Sequence, residues 1–301
     1  MKNIIAVIWD FDKTLVAGYM QDPIFEEYKV DSSNFWKEVN LLPEEYKKQG
    51  IKVNKDTIYL NHFIKYAKEG KFKGLNNNKL RQFGKKLKFY KGIPEIFEKT
   101  KRQIEDNPKY KEYNIKVEHY IVSTGMSEII RGSTVNEFVE YIWGCELIET
   151  GEGNNRIISE IGYTIDNTTK TRALFEINKG IPKNPEIDVN AKMTDENRRV
   201  AFSNMIYIAD GPSDIPAFSV INKYGGATFA IYPSGQMDAF KQVEKMREDG
   251  RINMYAEADY SEGTTAYMWI TNKISEFAER IYNEERNKLS GSFSGVPKHL
   301  I

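Results

Sequence analysis

The sequence predicts an α/β fold, a Rossmann-like parallel sheet with helices on both faces, and a small helical domain inserted after the first strand. Three observations predict it. Apolar, β-branched runs near residues 4–9, 117–122 and 204–209 each stop abruptly at polar residues, as buried strands do. Helical patterns separate these runs, which implies parallel pairing through crossovers. Residues 18–88, by contrast, carry charge and aromatics with little β-branched clustering.

Composition narrows the possibilities. A chain of 301 residues can bury a sizeable core and support a second, smaller lobe. Lys+Arg and Asp+Glu both number 43, so zero net charge gives no support to polyanion binding. The lone cysteine, Cys145, excludes an internal disulfide and fits a reducing, cytoplasmic setting. The apolar N-terminal run is short and broken by Asp10 and Asp12, which is not the pattern of a signal peptide. No run approaches the ~20 apolar residues of a membrane span.

Taken in order, the chain opens on a buried strand that ends in Asp10 and Asp12. Residues two apart share a side of an extended chain, so both carboxylates can face one rim. Asp22 as N-cap and Pro23 at the first position predict a helix. Ser32 and Ser33 predict a second capped start. Apolar residues at 59, 60, 63, 64 and 67 form a helical stripe, and 79–87 reads as a basic helix. Segment 18–88 is thus a helical cap, and the core comprises 1–17 and 89–289. A turn at Tyr90 feeds a helix to about Ile104, and 105–116 is a charged loop. A strand over 117–125 ends in Ser123, Thr124 and Gly125. Helices are expected from Ser127 and over 134–142, then a hairpin over 143–165. Asp166 to Lys170 leads into a helix over 171–178 closed by Gly180. Lys170 has the wrong sign for a helix start, which suggests that it serves an anion. Residues 182–199 read as a polar surface insertion.

The strand near 204–209 ends in Asp210, and Gly211-Pro212 should turn Asp214 back toward it. Strands over 227–232 and 255–260, a helix between them, a long closing helix and a flexible tail over 290–301 complete the reading.

Ligands bind parallel sheets outside the carboxyl ends of the strands. Asp10, Asp12, Ser123, Asp210 and Asp214 all fall there. Converging carboxylates repel without a cation, and Mg²⁺ suits few carboxylates plus a phosphate ligand. A carboxylate can attack phosphorus, and a second can protonate the leaving oxygen and then activate water. Ser123, the backbone near Thr124 and Gly125, and Lys170 can hold phosphoryl oxygens.

These residues resemble the haloacid dehalogenase-like superfamily of phosphohydrolases. Asp10-Phe11-Asp12-Lys13-Thr14 matches its first motif, Ser123 its second, Lys170 its third, and Asp210-Gly211-Pro212-Ser213-Asp214 its fourth. The helical insertion is similar to the cap of the phosphoserine-phosphatase-like branch. The resemblance implies Asp10 as nucleophile and Asp12 as acid/base. It implies Mg²⁺ bound by the Asp10 side chain, the Asp12 backbone carbonyl and Asp210, with Asp214 and Gly211 in support. Lys13 departs from the small residue often found there. The insertion also offers Lys179, Lys183 and Lys192, but only Lys170 follows a turn at a helix start.

The expected activity is Mg²⁺-dependent hydrolysis of a small phosphorylated metabolite. Transfer of the same phosphoryl group to another acceptor and a non-catalytic binding role are alternatives. A nucleic-acid substrate rests only on the basic stretch 79–91.

Overall fold

The computed structural model describes residues 3–293. The strand β1 (Ile4–Trp9) is followed by four helices, α1 (Asp22–Tyr28), α2 (Ser32–Lys48), α3 (Ile58–Lys68) and α4 (Asn77–Gly84). Then come α5 (Glu95–Glu105), the single turn α6 (Pro108–Lys111), β2 (Lys116–Met126) and α7 (Ser127–Gly132). A hairpin, β3 (Tyr141–Thr150) and β4 (Ile157–Tyr163), leads to α8 (Lys170–Lys179). The last elements are β5 (Met205–Ala209), α9 (Ile215–Lys223), β6 (Ala227–Tyr232), α10 (Met237–Glu248), β7 (Met254–Glu257) and α11 (Thr265–Phe293).

The strands form one sheet in the order β4-β3-β2-β1-β5-β6-β7. Only the β3–β4 pair is antiparallel. β1 lies at the centre, with Trp9 opposite Ile121 of β2 and Ile208 of β5. The chain runs outward from β1 through β2 and β3, then returns to β5 on the other side. The β1/β5 boundary is therefore a switch in strand order, where a ligand crevice forms.

Alternation along β1 builds two cores. Ile5, Val7 and Trp9 join α5, α11 and the aromatic interior of α1–α4, including Phe25, Phe35, Phe63 and Phe72. Ile4, Ala6 and Ile8 face Leu174 of α8, Phe218 of α9 and Val243 of α10. At the α4–α7 crossing the two backbones touch. A Cβ on Gly84 would lie 2.1 Å from the Ile129 carbonyl oxygen, and one on Gly132 would lie 2.0 Å from that of Arg81. Only glycine fits at either position. An Arg81–Glu128 ion pair closes the same seam.

Several local expectations change. Gln21, not Asp22, is the N-cap of α1, and Asp22 sits in the first turn. The α2 cap is Asp31, whose carboxylate accepts from Ser33 N at 2.9 Å. Helix α4 starts at Asn77, two residues before the basic stretch, because Asn76 caps it. Residues 134–142 are not a helix; a short 3₁₀ turn at Thr134–Phe138 passes directly into β3. The apolar residues at 135, 138, 139 and 142 imitate a helical stripe, but pairing of Tyr141 with Tyr120 draws the chain into the sheet. The loop 105–116 contains α6. Residues 290–293 continue α11 rather than starting a tail, and 294–301 lie outside the described residues. No helix among the described residues is long and apolar enough to cross a membrane.

Candidate active site

The carboxyl ends of β1, β2 and β5 bring together most of the expected site residues. Asp10 directly follows β1, and its backbone N–H donates to Ile208 O of β5 at 2.9 Å. The sheet itself therefore fixes the carboxylate. Its Oδ2 accepts from Thr14 Oγ1 at 3.1 Å and its Oδ1 from Lys170 Nζ at 2.7 Å. The Thr14 loop is held in turn by Tyr260, whose hydroxyl donates to Thr14 O at 2.7 Å.

Lys170 is the first residue of α8 and is 2% exposed, so its charge has been taken out of water. It also donates to Asp214 Oδ1 at 2.7 Å. Burial alone would lower its pKa, but the Asp10 and Asp214 carboxylates outweigh that and hold it above the usual lysine value. The odd sign at the helix start is thereby explained.

Asp214 is fully buried; Tyr207 donates to its Oδ1 at 2.7 Å and Ser213 to its Oδ2 at 2.8 Å. The turn that carries it back is a 3₁₀ turn at Pro212–Asp214, closed by Asp214 N donating to Gly211 O at 3.1 Å. Gly211 itself is extended, a conformation open to any residue, so the turn does not depend on its being glycine. Asp210 accepts no hydrogen bond from the described residues. Burial, then the Asp10 and Asp214 charges, push its pKa up to about 7. The same burial, moderated by Lys170, pushes Asp10 up to about 6. Oxygens of Asp10, Asp210 and Asp214 lie within 4.8 Å of one another, close enough to hold a metal ion. An all-oxygen set carrying surplus negative charge suits a hard divalent cation.

Asp12 stands apart from that trio. Its Oδ1 accepts from Met20 N at 2.8 Å. Burial, and next the Asp10 charge, raise its pKa above the usual carboxylate value. Lys13, between the two aspartates, adopts a left-handed conformation (φ 57°) and aims its ammonium over the Tyr19 ring, 4.4 Å from the centroid. It also lies within electrostatic reach of Asp210 and Asp12.

At the end of β2, Ser123 is buried and its Oγ accepts from Gly125 N at 3.0 Å. The Gly125 N–H is thus engaged within the strand end. The Met20 thioether covers this backbone: Met126 N lies 3.1 Å from its sulfur, and a Cβ on Gly125 would collide with its methyl. Thr124 O accepts from the Tyr59 hydroxyl of α3 at 2.8 Å. Met20, Gln21, Tyr59 and Tyr207 are the residues that sequence reasoning missed. Tyr207 lies in the strand that Asp210 directly follows, but the other three carry no motif.

The fold, with its strand-end motifs in this order, is similar to that of haloacid dehalogenase-like hydrolases. No protein-family model matches it. The chain belongs to one family with an uncharacterised protein of Borreliella burgdorferi, 38% identical over 288 residues that span 91% of this chain and 97% of that one. Among solved structures it is similar to a HAD family hydrolase from Salmonella enterica subsp. enterica serovar Typhi. That match has a TM-score of 0.50 at 15% identity and covers 84% of this chain and 67% of the other. A probable phosphoserine phosphatase from Vibrio cholerae also matches, with a TM-score of 0.50 at 10% identity over 92% of this chain and 66% of that one. Likeness at such identities is likeness of fold.

Proposed function

We propose that the chain is a Mg²⁺-dependent phosphomonoesterase that works through an aspartyl-phosphate on Asp10. The observation that carries this reading is the contrast between two neighbouring carboxyls. Asp10 is paired with Lys170 and Thr14, whereas Asp12 accepts from the Met20 N–H and has its pKa raised by burial. One is prepared as nucleophile and the other as acid.

In this reading Asp10 attacks phosphorus, and the bond from phosphorus to the ester oxygen breaks. Asp12 gives its proton to that leaving oxygen. As a carboxylate, Asp12 then takes a proton from water, which attacks the acyl-phosphate and frees inorganic phosphate and Asp10. Lys170 and the Ser123 hydroxyl donate to the phosphoryl oxygens. Asp10 and Asp210, with the Asp12 backbone carbonyl and Asp214, would hold Mg²⁺, which supplies charge neutralisation for the transferred group. The α1–α4 segment (18–88) acts as the cap, and a small phosphorylated metabolite is the substrate. The lone, buried Cys145 is in keeping with a reducing, cytoplasmic setting.

The test is phosphate release from a panel of phosphorylated metabolites with MgCl₂, beside an Asp10→Asn control and with an added alcohol. Release that needs Asp10 and ignores the alcohol supports hydrolysis. An Asp10→Asn variant as active as wild type overturns the nucleophile, and phosphorylated alcohol as the main product replaces hydrolysis with transfer.

A further inference from the structure

We propose that Gln21 reads the leaving group of the substrate, and that this group carries a hydrogen-bond donor, hydroxyl or ammonium, beyond its phosphate. The inference rests on the phosphatase reading above and deepens it.

The Gln21 backbone is committed to α1, its carbonyl accepting from Ile24 N at 2.9 Å. Its side chain is buried with only 3% exposure, at the seam between the α1–α4 segment and the sheet. The hydrogen bonds around it run in one direction. Tyr59 donates its single hydroxyl proton to Thr124 O. The Tyr59 oxygen is left as an acceptor, and the Gln21 side chain lies beside it. The part of the amide that can meet an acceptor is its nitrogen. The amide is thereby oriented, and its Oε1 meets no donor among the described residues. A buried acceptor in that state bears its full desolvation penalty, and native interiors seldom leave one.

Its place in the molecule says what should meet it. Gln21 adjoins Met20, whose N–H fixes Asp12. Tyr59 lies within electrostatic reach of Asp12. Since Asp12 hands its proton to the leaving oxygen, the departing alcohol lies in this corner. An O–H or N–H on that alcohol completes the relay from Gln21 through Tyr59 to Thr124. An alkyl or carboxylate terminus leaves Oε1 unpaired and is disfavoured.

The experiment compares kcat/KM for ethylene glycol monophosphate, ethanolamine phosphate and n-propyl phosphate, near-isosteres that differ in the terminal group, with an aryl phosphate as a general substrate. One donor ester should exceed the propyl ester by about tenfold or more, and the two donor arms separate hydroxyl from ammonium. In Gln21→Met that ratio should fall to about one, while the melting temperature holds or rises because an unpaired amide is gone. An unchanged ratio in a folded Gln21→Met overturns the inference. So do equal rates on all three alkyl esters when the aryl phosphate is cleaved, an outcome that leaves the phosphatase reading standing. No cleavage of any ester by wild type overturns both. Should Gln21→Met not fold, the wild-type ratio decides alone.

Discussion

The two ends of β2 handle buried charge in opposite ways. Near its start, Glu118 meets Arg199 in a bidentate pair, and the Tyr120 hydroxyl joins the same carboxylate. One negative charge faces one positive charge, and the cluster is complete within the protein. At its other end the rim of the sheet carries Asp10, Asp12, Asp210 and Asp214, with Lys170 as the cation bonded to Asp10 and Asp214. That end carries surplus negative charge, and burial raises the pKa of three of its four carboxyls. A balanced cluster needs nothing further; an unbalanced one is built for something that arrives. Burial of charge alone does not mark a site, because both ends bury it.

The largest effect that would break this contrast is at Asp10. Asp10→Asn should cut phosphate release by about 10³-fold or more, as loss of a nucleophile does. Its melting temperature should hold or rise, since one charge of a repelling set is removed. A clear drop in melting temperature would mean that the carboxylate is structural. Lys170→Met should cost roughly 3–5 kcal/mol in urea unfolding at neutral pH, because Asp10 and Asp214 lose their buried counter-charge. Arg199→Met breaks a pair whose side chains both touch solvent, so roughly 2–3 kcal/mol is expected. Its phosphate release should match wild type, and a matching loss of activity would erase the distinction between the two ends.

A subtler test uses pH. Asp10 and Asp210 have folded pKa values of about 6 and about 7, above their ordinary 3.8. Between those limits the metal-free folded state binds more protons than the unfolded one, so its stability falls as pH rises toward 7. Added Mg²⁺ should therefore raise the melting temperature at pH near 7.5 and do so much less near pH 5. Equal shifts at both would count against a cation among these carboxylates. The smallest change is Tyr120→Phe, worth about 1–2 kcal/mol for the lost bonds to Glu118 and Arg199 and nothing in rate.

Much of the site was legible because its residues sit at strand ends. An apolar run that stops at Asp10, and another that stops at Asp210, announce themselves by pattern. Lys170 was visible as a charge of the wrong sign at a helix start, and its bonds to Asp10 and Asp214 supply the reason. Met20, Gln21 and Tyr59 were not legible. Met20 meets Met126 across 106 residues, and no local spacing records such an encounter. The short 3₁₀ turn at Thr134–Phe138 was misread for the opposite reason: its local spacing is helical, and strand pairing overrides it. The caps of α1 and α2 were each misplaced by one residue: Asp31 and Ser32 are both competent caps, while Asp22 spends its carboxylate on the Tyr19 N–H ahead of α1.

The crossing of Gly84 over Gly132 bears on how substrate enters. Two backbones in contact leave no slack for sliding, and the Arg81–Glu128 pair bolts that margin down. The α1–α4 segment is therefore held firmly along that seam. On the side of the carboxylates the contacts are side-chain ones, Tyr59 to Thr124, Asn54 to Asp166 and the Met20 thioether over Met126. Traffic of ester in and alcohol out should pass on that side, with amide exchange slowest along the α4–α7 crossing.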